Sequence, residues 1–514
     1  MTEACSPSVG APAPSRTPPF GSFWRRLAAW APLMPAADYL LFRRYPVLAL
    51  VLFVLIVALA ALIAAGPRAL HVRTAAGAGI LAASLCPLID GIGPLPVLFA
   101  LAGLTLFALL AAGWFETRAG RALADLLWFG ATGFFRLFRD LAVAVKACRG
   151  PGTRRRFGAW LLSWLLPAAL GSIFLGLFSN ANPLIEQWLR LLDPTALLRA
   201  IDGWRAFFWL GMGVLTWPFV RPRLRRRIGG APPVTVTVEP ILPEAWRRAI
   251  FGPMAILRSL VLFNGLFAIE SGLDVVYLWH GTALPSDLSY AAYAHRGAYP
   301  LVVTALLAGG FLIAATRDGS AAARSRPIRL LIHLWTAQNL LLVASSILRL
   351  DLYVAAYSLT FLRFAAFIWM LLTATGLVLI LVRMTLDRSN AWLVASNFAA
   401  LTAVLYASSF IDFPGVIADY NVRHSREMTR SGVSLDLDYL QRLGPRTLPA
   451  LDGYIRQLPA SAAAGACAVR NSLAASYAVE PTGWRSWSLN RWRLDRYLAD
   501  AATGGAGRTC AQIP

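Results

Sequence analysis

The chain has 514 residues, of which 57% are hydrophobic and only 14% are charged, and its mean hydropathy is +0.58. Because a soluble domain carries about 25% charged residues, this composition excludes an ordinary soluble protein and indicates a polytopic membrane protein. The formal net charge of +22 comes from arginines in short loops beside apolar segments, which is typical of the positive-inside rule and not of a basic face for nucleic acid. We therefore expect the lipid bilayer as a partner and no nucleic-acid partner.

Apolar segments long enough to cross a bilayer core of ~30 Å recur along the chain. They predict an all-α fold, a polytopic transmembrane helix bundle of about ten spans. The second segment is short and ends near Pro87 and Asp90, so it could be a full crossing or a re-entrant hairpin. The predicted spans are residues 47–65, 75–89, 95–115, 158–178, 205–220, 252–279, 298–316, 327–348, 361–382 and 391–410.

The same pattern divides the chain into five regions. Residues 1–24 are rich in Pro, Ser and Ala and are predicted to be a disordered N-terminal tail. Residues 25–115 hold the first three spans, and 116–157 a cytoplasmic amphipathic helix. Residues 158–411 form the main membrane bundle, and residues 412–514 a small, soluble, helical C-terminal tail.

The amphipathic helix is predicted over residues 121–146. At 100° per residue Arg121, Asp125, Arg136 and Lys146 share one face, whereas leucines and phenylalanines lie away from it. Such a helix suits the membrane interface. The alternative is a helix packed against the cytoplasmic ends of the bundle.

Loop charges predict which side each loop occupies. Most loop arginines follow the third, fifth, seventh and ninth spans, so these loops are expected in the cytoplasm and the C-terminal tail outside it. Ten crossings would then place the N-terminus outside as well, although Arg25, Arg26, Arg43 and Arg44 favour the cytoplasm. Either the second span does not cross fully, or residues 27–42 make another passage.

Polar side chains near the outer ends of spans six to nine form a candidate pocket. Glu270 and Asp274 lie one turn apart, Arg349 and Asp351 end span eight, and Arg363 begins span nine. Ionisable residues in spans usually face the bundle interior in pairs and often line a pathway. We expect Arg363 to couple to Asp351 or Glu270 in a pocket for a small solute, a lipid headgroup or a proton; the alternative is a ring of structural ion pairs. The candidate residues are Glu270, Asp274, Tyr293, His295, Arg296, Asp351, Tyr357 and Arg363.

Deeper polar residues and the cysteines complete the candidates. Arg258 and Asn264 on span six, and His333, Gln338 and Asn339 on span eight, could hydrogen-bond between helices. Cys467 and Cys510 are the only cysteines after span ten, and a translocated tail would lie where disulfides persist, so they could form a bond or remain free thiols. With no CxxC motif and no ligand spacing among five histidines, we expect no metal and no cofactor.

Four stretches carry a resemblance to a known family. YAHRGAYPLVVTALLAGGF (293–311) and LDLYVAAYSLTFLRFAAFIWM (350–370) resemble a bacterial integral-membrane family catalogued as domain of unknown function 4173, as do NPLIEQWL (182–189) and WRSWSLNRWR (484–493). The resemblance covers about residues 40–500. It implies a multi-pass protein of the bacterial cytoplasmic (inner) membrane and no established activity.

Three function classes follow from these features. The first is an envelope scaffold or sensor whose extracytoplasmic tail meets envelope proteins. The second is a transporter or channel for a small solute or ion through the charged pocket, although no inverted repeat is visible. The third is a membrane enzyme acting on lipid-linked substrates, so whether the protein is an enzyme stays open.

Overall fold

A computed structural model describes residues 20–43, 46–66, 71–113, 129–130, 132–133, 135–140, 203–222, 253–280, 325–504 and 510. Every regular element in these ranges is helical, which confirms the all-α helix bundle. Seven of the described helices are long and apolar enough to cross a membrane. The predicted spans 158–178 and 298–316 lie outside the described residues.

Six described helices belong to the N-terminal half of the bundle. They are α1 (Phe20–Trp30), α2 (Leu33–Leu41), α3 (Val47–Ala65), α4 (Val72–Asp90), α5 (Pro94–Ala111) and α6 (Gly203–Val220). They surround one apolar core whose centre is α3. The second predicted span is a full helix of 19 residues packed along α5, with Pro87 inside its last turn, so it has the length of a crossing.

The first two helices together run the length of α3. The helical conformation is interrupted between them at Ala31 and Pro32, because a proline cannot continue the α-helical hydrogen bonding. Arg25 Nη2 donates to the carbonyl of Ala64, 3.3 Å away, at the end of α3. At the other end the Tyr39 ring lies 4.3 Å from the guanidinium of Arg485 in the C-terminal tail. This arrangement matches the predicted additional passage, and α1 begins at Phe20, inside the region predicted to be disordered.

Four described helices belong to the second half of the bundle. They are α7 (Pro253–Asp274), continued by a π-helical segment (Val275–Trp279), α8 (Arg326–Tyr357), α9 (Phe361–Thr385) and α10 (Asn390–Ser408). Each packs against the next in chain order. Helix α8 runs nine residues beyond the predicted end of span eight and carries Arg349 and Asp351 within it.

The described part of the predicted amphipathic helix packs against α6. Its Phe129 ring lies 5.7 Å from Phe219, and Asp140 Oδ2 accepts a hydrogen bond from Trp217 Nε1 at 3.2 Å. Arg136 and Asp140 are buried, whereas Phe135 is exposed. Arg139, also on the predicted charged face, is exposed, so only part of this face meets protein, on the side that packs against α6.

The C-terminal tail is a small helical unit with its own core. Its helices are α11 (Phe413–Arg423), α12 (Arg426–Thr429), α13 (Leu437–Leu443), α14 (Leu448–Gln457), α15 (Ala460–Val479) and α16 (Leu489–Gly504). Buried Asp452 accepts from Arg470 Nε at 3.0 Å and from the Tyr497 hydroxyl at 2.9 Å. Cys467 and Cys510 are joined in this core with a Cα–Cα distance of 5.4 Å; formation of the bond in the cell stays a prediction.

The tail covers one end of the bundle. Asn490 Nδ2 donates to Asp90 Oδ2 at the end of α4 at 2.8 Å, and Arg493 lies 3.5 Å from the same carboxylate. The tail also contacts the connection between α8 and α9. Arg329 near the start of α8 and Arg383 near the end of α9 lie at the opposite end of their helices. The tail and these arginines therefore occupy opposite sides.

Candidate functional site

A buried charge cluster lies between α7 and α8, near the end of the bundle that the tail covers. Glu270 and Asp274 are four residues apart on α7, so they occupy adjacent positions on one side of the helix. Arg349 Nη2 bonds Asp274 Oδ1 and lies 3.5 Å from Glu270 Oε1. Asp274 is fully buried and Arg349 is 5% exposed, whereas the Glu270 side chain is 45% exposed. The structure thus brings two predicted site residues together around Arg349.

Helix α7 changes its winding directly after Asp274. Residues Val275–Trp279 form a π-helical turn, which the backbone N–H of His280 closes by donating to the carbonyl of Val275 at 3.2 Å. Trp279 Nε1 then donates to Ser345 Oγ on α8 at 3.1 Å. Single π-helical turns within α-helices are frequent at functional sites. This turn therefore adds a local irregularity next to the charge cluster.

Polar side chains continue from the cluster toward the middle of α7. Asn264 Nδ2 donates to the carbonyl of Leu331 at 3.1 Å, and Gln338 Nε2 donates to the carbonyl of Asn264 at 3.2 Å. These two contacts join spans six and eight as predicted, whereas the hydrogen bonds of His333 and Asn339 are to carbonyls within α8. We call Asn264, Glu270, Ser271, Asp274, Gln338 and Arg349 the α7–α8 polar seam.

Three oxygens of the seam are buried without a hydrogen-bond partner in the part of the chain that the structure describes. They are Asn264 Oδ1, Ser271 Oγ and Gln338 Oε1. A buried polar atom without a partner costs about 1–3 kcal/mol, and it marks a position where a ligand or water can bind. Two of the three are amide oxygens, which only accept hydrogen bonds.

The remaining candidates lie elsewhere. Arg363 Nη1 donates to the carbonyls of Tyr357, at 2.5 Å, and Ser358, and its guanidinium lies 4.5 Å from the Tyr353 ring. Among the described residues, the contacts of Arg363 are thus with carbonyls and an aromatic ring, not with Asp351 or Glu270. Tyr293, His295 and Arg296 lie outside the described residues.

Asp351 faces the tail. The pKa of Tyr420 on α11 is raised, first by burial and then by the negative charge of Asp351. Asp351 is two residues from Arg349 in sequence but is exposed, and no described contact joins it to the charge cluster. The predicted pocket is therefore split between the seam and the surface where α8 meets the tail.

The tail holds the connection between α8 and α9. Asn421 Oδ1 accepts from the backbone N–H of Leu359 at 2.7 Å, and its Nδ2 donates to the carbonyl of Leu359 at 2.9 Å. The Tyr439 hydroxyl accepts from the N–H of Phe361 at 2.9 Å. We call these three hydrogen bonds the tail clamp. It satisfies backbone groups that neither helix can satisfy at its end.

Sequence reasoning missed the tail clamp and the central position of Arg349. A signal for Arg349 existed, since Ser345 and Arg349 are four residues apart on the buried face of one helix. No local pattern marks Asn421 as a partner of Leu359, which lies 62 residues away. Across the described residues, no three His, Cys, Asp or Glu side chains converge as metal ligands would.

Comparison with known proteins corrects the predicted family. A family model described as domain of unknown function (DUF4153) matches residues 36–454. The expected family, domain of unknown function 4173, is therefore wrong, although the matching family also has no assigned function. The match runs from α2 into α14 and includes both the seam and the tail clamp. No curated protein and no solved structure matches the chain.

Proposed function

The chain belongs to the DUF4153 family, a domain of unknown function, and we propose from its geometry that it is an envelope scaffold or sensor in a bacterial cytoplasmic membrane. Its C-terminal tail lies on the extracytoplasmic side and meets envelope components there. Docking of the tail is coupled to the arrangement of the membrane helices.

The tail clamp is the observation that carries this proposal. Asn421 bonds both backbone groups of Leu359, between the two long helices α8 and α9. Arg349 lies on the same helix, about two turns before its end. A force or partner that moves α11 would therefore move the end of α8, and with it the partner of Asp274.

Charge distribution supports the orientation of the tail. Arg221 follows α6, Arg329 begins α8 and Arg388 follows α9, and all three lie at the end of the bundle opposite the tail. Arginine-rich short loops stay in the cytoplasm. This distribution supports an extracytoplasmic tail, where a Cys467–Cys510 bond would persist.

A second candidate function is transport of a small solute or ion. The α7–α8 polar seam favours it, because charged and polar groups inside membrane helices often mark a pathway. Its more exposed carboxylate, Glu270, is half exposed, while Asp274 is fully buried. In this function the tail would be a support and not the working part.

Complementation of a deletion strain under envelope stress separates the two functions. A scaffold or sensor should fail with Asn421→Ala and still work with Glu270→Gln, whereas a transporter should show the reverse. Gln441→Ala is the matched control in the tail, since the Gln441 side chain donates to Ser472 Oγ within the tail, at 3.4 Å. All variants must be compared at equal abundance in the membrane. Full complementation by Asn421→Ala would refute the proposal.

A further inference from the structure

We propose that the α7–α8 polar seam binds a small monovalent cation, either a proton or an alkali-metal ion, with Glu270 as its most exposed ligand. The inference concerns binding alone, so it is independent of what the tail does. It rests on the kinds of atoms in the seam, on their burial and on the exposure of Glu270.

The buried oxygens of the seam are suited to binding a positively charged ligand. Asn264 Oδ1, Ser271 Oγ and Gln338 Oε1 are buried without a partner in the described structure, and amide oxygens can only accept. An anion would need donors where the two amide oxygens lie, whereas a hard cation or a hydronium ion binds oxygen. The Ser271 hydroxyl can donate or accept, so all three oxygens can act as ligands of a cation.

The charged groups agree with this preference. Among the described groups, the carboxylates of Glu270 and Asp274 face the single guanidinium of Arg349. Arg349 is held closely by Asp274, whereas its contact with Glu270 is 3.5 Å. Glu270 can therefore exchange Arg349 for another positive charge while Asp274 remains paired.

The burial of Ser271 beside the charge cluster is a separate observation in favour of a binding site. It is 7% exposed and lies on the face of α7 that also buries Asn264 and Asp274. Along α7 it lies between Glu270 and Asp274, about two turns beyond Asn264. The π-helical turn that follows Asp274 alters the regular carbonyl pairing beside it.

Cation binding can be tested on the purified full-length protein in lipid nanodiscs. The melting midpoint is followed by tryptophan fluorescence while sodium, potassium or choline chloride is varied at constant ionic strength, at mildly acidic and mildly alkaline pH. An alkali-metal site raises the midpoint with sodium or potassium but not with choline, because ligand binding stabilises the folded state. A proton site raises the midpoint on acidification with all three salts.

Two seam variants and one control decide the result. Glu270→Gln should lower the apparent cation affinity about tenfold or more, and Ser271→Ala should weaken it with little effect on folding. Glu480→Gln is the matched control, because Glu480 also lies 3.5 Å from an arginine and is 47% exposed, but in the tail. The inference is overturned if the wild type responds to neither cation, or if Ser271→Ala and Glu270→Gln respond as the wild type does.

Discussion

Arg349 forms a buried ion pair between α7 and α8 in the second half of the bundle. Its guanidinium is nearly fully buried and is bonded to a carboxylate that is fully buried. Removing one member of such a pair leaves an uncompensated buried charge, whereas removing both can be nearly neutral. The pair therefore makes a clear test of the buried site.

We predict that Arg349→Ala lowers the free energy of unfolding of the bundle by about 3–5 kcal/mol. Adding Asp274→Asn should restore much of that loss, because no buried carboxylate then lacks a partner. Arg423→Ala is the control, since Arg423 pairs with Asp419 on the exposed surface of α11 and should cost at most about 0.5 kcal/mol. Denaturant unfolding in mixed micelles measures all three, and purely additive losses in the double variant would contradict the pairing.

Ser358 has a strained backbone conformation, which destabilises the folded state. Its φ of +65° with ψ of 164° is a conformation that side chains rarely adopt. It is fixed from both sides, because Arg363 bonds its carbonyl and Asn421 bonds the following residue. The strain is thus compensated by specific contacts.

We predict that Ser358→Gly stabilises the protein by about 1 kcal/mol, because glycine adopts this conformation without strain. Ser476→Gly, in the exposed interior of α15, should instead destabilise by roughly 0.5–1 kcal/mol. Thermal melting compares the two. Equal destabilisation by both substitutions would show that Ser358 is not strained.

At the scale of elements, the apolar helices were predictable and their charged ends were not. The predicted span 47–65 coincides with α3, because nothing but apolar residues lies between Pro46 and Gly66. Span eight was predicted to end at residue 348 because Arg349 follows, yet α8 continues to Tyr357. Asp274 on another helix makes Arg349 tolerable within the bundle, and that pairing cannot be deduced from local sequence.

The tail clamp predicts a local effect at the connection of α8 and α9. In Asn421→Ala the N–H and carbonyl of Leu359 lose their partner, at a cost of about 1–3 kcal/mol. Amide hydrogen exchange at Leu359 should then become faster while α3 remains protected. Gln441→Ala should leave this exchange unchanged; unchanged protection in Asn421→Ala as well would contradict the clamp.

The core of the tail should respond to alkaline pH. Burial, followed by the charge of Asp452 and the hydrogen bond to it, raises the pKa of Tyr497 to about 12. A folded-state pKa above the unfolded value of about 10 means that this contribution to stability is complete below about pH 10 and is lost as the pH rises to about 12. Tyr497→Phe should therefore flatten the loss of tail stability in this window.

Tyrosinate absorbance and circular dichroism measure this response in the full-length protein. Burial and Asp495 also raise the pKa of Tyr477, so the variant should retain part of the alkaline transition. The control is the same comparison near neutral pH, where both tyrosines are protonated in the wild type. An identical alkaline profile in wild type and Tyr497→Phe would contradict the assignment.

At the scale of the whole molecule, the unresolved question from the sequence was the side of the N-terminus. Composition identified a polytopic bundle, but α1 and α2 are too short for either to register as a span. Only the packing of both helices on α3 shows that together they run the length of a membrane span. This packing favours the alternative in which residues 27–42 make another passage, with Arg25 at the end of α3 opposite the tail.

We therefore predict that the N-terminus lies in the cytoplasm and the tail outside it. In intact cells a membrane-impermeant maleimide should label Val479→Cys, since Val479 is 84% exposed in the tail. The native Cys5 and an Asp387→Cys variant in the turn between α9 and α10 should be labelled only after the membrane is permeabilised. Mass spectrometry reads each site separately, and Asp387→Cys is the control for the arginine-rich side. Labelling of Cys5 in intact cells would mean that α1 and α2 do not cross, whereas a protected Val479→Cys would reverse the orientation and refute the proposed extracytoplasmic role of the tail.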